Sequence, residues 1–220
     1  MWCIAEITPE YRKRMYAVLN LYNEPYNSLY PVVCFDEKSK QLLEDARKPI
    51  PLKPGGVLKV DYEYKRKGTC NIFVAVEPKA GRHHIKVTDC RKREDFSIFM
   101  KWLIEERYSD AKKVRIVLDN LNTHFEKSFY ETFTEKETKK LLKKIQFIYT
   151  PKHASWLNMA EIEINIMDKE CLDRNIGSKK ELEKELKIWC AQNNKEKRKI
   201  NWSFTKKKRI KNYQNIMFHN

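Results

Sequence analysis

At 220 residues, with 41% apolar and 12% aromatic side chains, the chain is long enough to bury a core and too rich in such residues to stay disordered. Its apolar runs are short, VVCF and IFVAV among the longest, which excludes a membrane-spanning helix; MWCIAEITPEYRKR lacks an apolar signal region, so the cytoplasm is the expected compartment. Forty-five Lys and Arg against 30 Asp and Glu leave a charge of +15 and a pI near 9.4, a balance that favours polyanions such as phosphate backbones.

In chain order, residues 8–22 predict a helix: Thr8 can cap it, Pro9 fits the first turn, and Met15, Val18, Leu19 and Tyr22 share a face. A turn-rich stretch follows, and PVVCFD at 31–36 predicts a buried strand ending at Asp36. Residues 49–60 carry too many prolines and glycines for regular structure until a short closing strand. Strands over 69–77 and 83–89, joined by the turn Pro78–Gly81, predict a hairpin. A helix is expected over 94–107, a strand over 113–118 bearing Asp119, and a helix over 134–144 with Thr134 and Glu137 as a capping box. A strand over 146–150 and helices over 156–172 and 178–195 complete the series, the last with Ser178 and Glu181 as a second capping box. The order predicts a mixed sheet with helices packed on it.

The six cysteines, Cys3, Cys34, Cys70, Cys90, Cys171 and Cys190, form no CxxC pair, and no histidine pair completes a zinc pattern. Reduced structural thiols are expected. Positive charge is densest near the end, where KEKRKINWSFTKKKRIK holds nine basic residues and one acid. Lys206, Lys207, Lys208 and Arg209 are its core and the candidates for contact with a nucleic-acid backbone.

Three acids stand out. Asp36 and Asp119 each close an apolar strand, and Glu161 sits in HASWLNMAEIEI. Singly, each aspartate is better explained as the carboxylate that caps a following turn, and an ordinary surface acid accounts for Glu161 equally well. Together, two strand-borne aspartates and a helix-borne glutamate can hold a pair of hard divalent ions, the arrangement that cuts or joins phosphodiesters. Asp119 is followed by amides, a hydroxyl and an imidazole in DNLNTH, more polar groups than a turn requires. Asn158 and Glu161 are spaced to face one site, whereas Glu163 is rotated away, and Glu37 would point away from Asp36 if the strand continued. Ahead of Glu161, Lys152, His153, Ser155 and Trp156 make a loop suited to phosphates and stacked bases.

VVCFDEKSKQLL, TCNIFVAVEPKAGRHHIKVTD, VLDNLNTH and YTPKHASWLNMAEIEI together resemble the catalytic domain of bacterial insertion-sequence transposases, the prokaryotic branch of the Tc–mariner superfamily of DDE transposases. The resemblance runs from about residue 2 to 204. It implies an α/β, ribonuclease-H-like mixed sheet flanked by helices, and a two-Mg²⁺ site, with Mn²⁺ able to substitute, on Asp36, Asp119 and Glu161. It implies cutting of double-stranded DNA at element ends and joining of the freed 3′-hydroxyl to target DNA, by a homodimer on DNA in a nucleoid-associated cytoplasmic setting. Asn120, His124, Lys152, His153, Trp156 and Asn158 become expected supports of the site or DNA contacts. The expected organisation is a helical linker segment at 1–30, the catalytic domain at 31–195 and a basic tail at 196–220. The family's helix-turn-helix domains precede its catalytic part; since the sequence starts almost at the linker into that part, sequence-specific end recognition is expected to be absent or supplied by another chain, and KKKRIKNYQNIMFHN departs from the family's closing helix. A catalytically silent DNA-binding remnant is the alternative reading, and a cellular nuclease of the same fold a third, against which WLNMAEIE argues.

Overall fold

The computed structural model describes residues 8–47, 55 and 63–204; the expected loop and short strand over 49–60, and Lys206 to Arg209, fall almost wholly outside them. Helix α1 (Pro9–Asn23) starts where Thr8 accepts the Tyr11 amide at 3.1 Å, as its sequence predicts. Then come β1 (Val32–Asp45), β2 (Tyr64–Glu77), β3 (Arg82–Thr88), α2 (Arg93–Trp102), β4 (Val114–Leu118), α3 (Lys127–Thr132), α4 (Glu135–Lys144), β5 (Ile145–Tyr149), α5 (Met159–Met167) and α6 (Lys179–Glu196). A widened π-helical turn extends α2 over Leu103–Arg107, and another extends α5 over Asp168–Leu172.

The sheet runs β3-β2-β1-β4-β5, antiparallel among the first three and parallel from β1 through β4 to β5. Side-chain alternation divides two cores. Val33, Phe35, Phe73 and Ala75 share a core with Phe96 and Phe99 of α2, Phe129 of α3 and Leu141 of α4. On the other face Ile72, Val74 and Val76 meet α5 and α6 through Ile164, Met167 and Leu186, while Cys34 and Val117 meet α1 and the start of α5.

Two strands are longer than their sequence suggests. β1 does not end at Asp36 but continues to Asp45, and β2 begins at Tyr64, because their polar halves pair with each other from Lys40↔Cys70 out to Asp45↔Tyr64. Charges hide that ladder in sequence, yet cross-strand pairs such as Lys67–Glu44 at 2.9 Å suit an exposed ribbon. The α4 capping box is half formed: Thr134 accepts the Glu137 amide at 3.4 Å, but the Glu137 carboxylate turns to Lys101. Ser178 likewise accepts the Glu181 amide at 3.2 Å, while the Glu181 carboxylate takes the amide of Gly177.

Gly81 closes the β2–β3 turn at φ +65°, and a Cβ there would lie 2.4 Å from the Lys197 backbone. We expect Gly81→Ala to destabilise the fold by about 2 kcal/mol or more, read as a lower urea midpoint. His84, edge-on to Trp102 and Tyr108, is pushed down to about 4 by burial, with the charges of Arg107, His83 and Arg82 acting the same way. The unfolded imidazole takes its proton near 6.5 and the folded one resists, so stability is full above 6.5 and falls as pH drops through 4. This amounts to at most about 3 kcal/mol. Unfolding titrations should show that slope flattened in His84→Phe; an unchanged slope would assign it to other groups.

Candidate active site

The parallel pairing of β1 with β4 stops at Cys34↔Val117, whereas β1 continues beside β2 through Asp36↔Val74. Asp36 therefore emerges where its β4 neighbour ends, on the same face as Cys34, and Asp119 directly follows β4 at Leu118. Glu161 occupies the first turn of α5, where the helix dipole favours a carboxylate. The joint between helix and strand is Asn158. Buried, it donates from Nδ2 to the Phe35 carbonyl at 2.8 Å and accepts the Ala160 amide at 3.2 Å as the N-cap. At the far end of α5, Lys38 reaches Asp168 at 2.6 Å. Asn158 thus does not share a helix face with Glu161, as its spacing suggests, but fixes where Glu161 starts.

Each aspartate has one oxygen engaged by the protein. Asp36 Oδ1 accepts the Glu37 amide at 2.8 Å; Asp119 Oδ1 accepts the Leu121 amide at 3.1 Å and contacts His124 Nδ1 at 2.7 Å. Burial lifts the Asp36 carboxyl to about 7 against the Glu37 amide, and the charges of Glu37, Asp119 and Glu161 add to the lift. Asp36 is thus near enough to both other acids to feel their charge. Partial burial opposes the charge of Asp119, but the hydrogen bond and charge of His124, with the Leu121 amide, outweigh it and hold this carboxyl below its ordinary value.

His124 is buried between the rings of Phe35 and Phe96, at 5.3 and 4.9 Å. Its Nε2 lies 2.9 Å from Glu37 Oε2, off the direction of an aligned N–H bond, so this contact is an ion pair rather than a good hydrogen bond. Burial works against the imidazolium, yet hydrogen bonding to Asp119 and the nearness of Glu37 lift it to about 9. Glu37 does face away from Asp36, as expected, but sequence reasoning missed its part as the second anion on His124. The available signal was parity: in a continuing strand Glu37 shares the core face of Val33 and Phe35, where a carboxylate needs a partner.

The remaining candidates divide. Asn120 accepts from Arg14 of α1 at 2.5 Å and donates to the Thr150 carbonyl at 2.6 Å, tying α1 and the end of β5 to the turn after Asp119. Arg14 was not foreseen in that place. Lys152, His153 and Trp156 are exposed on the loop before α5, with His153 in a left-handed conformation (φ 59°) and Trp156 edge-on to Phe204 at 5.2 Å. Glu163 is directed elsewhere, onto His83 at 2.9 Å and Arg198 at 3.4 Å. Among the described residues no three His, Cys, Asp or Glu side chains are gathered closely enough to enclose an ion.

Asn158→Ala removes both the cap of α5 and the donor to a buried carbonyl. Urea unfolding should show a loss of about 2–3 kcal/mol, and a loss under about 0.5 kcal/mol would remove Asn158 from this role.

Residues 31–183 match the family model described as the DDE superfamily endonuclease. No curated protein matches the chain. Among solved structures, the Mos1 mariner paired-end complex with Mn is similar at TM-score 0.57 and 17% identity, over 90% of this chain and 60% of that one. The Mos1 transposase paired-end complex with left transposon end gives 0.56 and 14%, over 87% and 57%. The Mos1 strand transfer complex gives 0.56 and 15%, over 87% and 57%. Identities this low carry the fold, a ribonuclease-H-like mixed sheet flanked by helices, and this chain spans about three fifths of the length of those solved relatives. With the family match extending over residues 31–183, well over half of its length, the chain belongs to the DDE superfamily of endonucleases.

Proposed function

We propose that this chain is the catalytic domain of a metal-dependent DNA transposase that cuts at transposon ends and joins the freed 3′-hydroxyl to target DNA. The observation that supports this reading best is that Asp36 on β1 feels the charges of Asp119, just after β4, and of Glu161, in the first turn of α5; the side chains would have to draw closer to enclose an ion.

The donor set fits hard divalent cations: it is made of carboxylate oxygens, and a protein donor already fixes one oxygen of each aspartate. These three residues would hold two Mg²⁺ ions, with Mn²⁺ able to substitute, and the ions would activate water or a 3′-hydroxyl and stabilise the leaving oxygen. The chain's own residues supply orientation. His124, held by Glu37, turns Asp119; Asn158 sets α5 and hence Glu161; Asn120 fixes the turn between them. Exposed Lys152, His153 and Trp156 face approaching phosphates and bases, and Lys206, Lys207, Lys208 and Arg209 neutralise backbone, so binding should weaken steeply with salt. The natural assembly on this reading is a homodimer on double-stranded DNA. The linker, catalytic and tail divisions at 1–30, 31–195 and 196–220 belong to the same proposal.

In a plasmid-nicking assay, Mg²⁺ or Mn²⁺ should support nicking by the natural chain, and Asp119→Asn or Glu161→Gln should each lower it at least about 100-fold. Mg²⁺ should also raise the melting temperature of the natural chain but not of Asp36→Asn. Nicking that survives both substitutions would sink the assignment. DNA binding without nicking would favour the silent remnant.

A further inference from the structure

Strand β3 lies at the outside of the sheet, with β2 along its inner side. At His83 the outer edge is occupied: its N–H donates to Asn194 Oδ1 at 2.6 Å, and Asn194 Nδ2 donates to its carbonyl at 2.9 Å. One amide side chain thus makes the pair of bonds that a neighbouring strand residue would make. The backbone repeats every two residues, so Ile85 and Val87 turn their N–H and C=O groups the same way, away from their β2 partners Val74 and Ile72. No described residue pairs with them.

A groove of about 560 Å³ runs along this edge, between Trp102 and Arg107 on one side and α6 on the other. Its lining charges are Lys86, Arg107 and Lys187 against the single acid Glu183. Two of the cations are held ready over the Trp102 ring, Lys86 Nζ 4.1 Å and Arg107 Cζ 4.8 Å from its centroid. We propose that the β3 edge is a docking site for an acidic, extended polypeptide segment of another protein, which adds a strand along Ile85 and Val87 while its carboxylates meet these cations. Charge argues against residues 48–62 or 205–220 of the chain supplying the segment. Residues 48–62 hold Lys48, Lys53 and Lys59 against Asp61, and 205–220 hold five Lys and Arg and no acid.

The test is fluorescence anisotropy on the full chain with two short labelled peptides, one alternating Glu and Val, the other Lys and Val. The Glu–Val peptide should bind at least about tenfold more tightly. Val87→Pro removes an outward N–H that the β2 ladder does not use, so the fold should persist while affinity falls at least about tenfold. Lys187→Glu, at an exposed position of α6, tests the charge without touching the strand and should also weaken binding. Plasmid nicking should be unchanged in both variants, which separates this surface from the proposed active site. Equal affinity for the two peptides, no binding at millimolar peptide, or Lys187→Glu and a folded Val87→Pro that bind normally would each overturn the proposal. So would displacement of the peptide by a short DNA duplex, or a dimer in sedimentation that Val87→Pro abolishes, since the edge would then serve DNA or a second copy.

Discussion

Buried against β1, the Asn158 amide bonds the Phe35 carbonyl while its oxygen caps α5. Three acids distant in sequence can share one place only if the helix carrying Glu161 cannot slide along the strand carrying Asp36. Packing of Leu157, Met159 and Ala160 against α1 and the sheet gives affinity between the layers but little registry, since apolar contact is non-directional. A two-ended amide supplies the registry, and Lys38–Asp168 repeats the constraint at the other end of the helix. Around that joint the site is assembled by position rather than by strong local bonds.

The site is also a place of stored repulsion. Burial and neighbouring negative charge disfavour the Asp36 carboxylate, whereas Asp119 is kept ionised by His124. The two aspartates are therefore not equivalent: His124 favours the anion at Asp119, whereas burial disfavours it at Asp36. Such inequality is the usual mark of a functional cluster rather than of a structural one, where burial and pairing are matched residue by residue.

Much of this was legible in the sequence, and what was missed has a common cause. Thr8 and α1, β4 with Asp119 directly after it, and the hairpin around Gly81 follow from local pattern, because capping and short apolar runs are read within a few residues. The polar halves of β1 and β2 were invisible because each is a strand only by virtue of the other, a non-local pairing that charged residues do not announce. Helix α3 was missed because it has six residues and no side-chain cap. Within the site, the acids were nominated by residue type and position, while the roles of Asn158, Glu37 and Arg14 depend on which backbone or ring they meet after folding.

The Glu37–His124 contact has an evolutionary consequence. A change of His124 to an apolar residue would strand the Glu37 carboxylate among Phe35, Phe96 and their neighbours, and a buried unpaired charge is among the most damaging single changes a fold can suffer. Neutralising Glu37 first is the milder step, because His124 keeps Asp119 as its partner. Mutational drift at these two positions is therefore directional: the glutamate can be lost before the histidine, but not after it, and lineages that have lost the histidine should already have lost the glutamate.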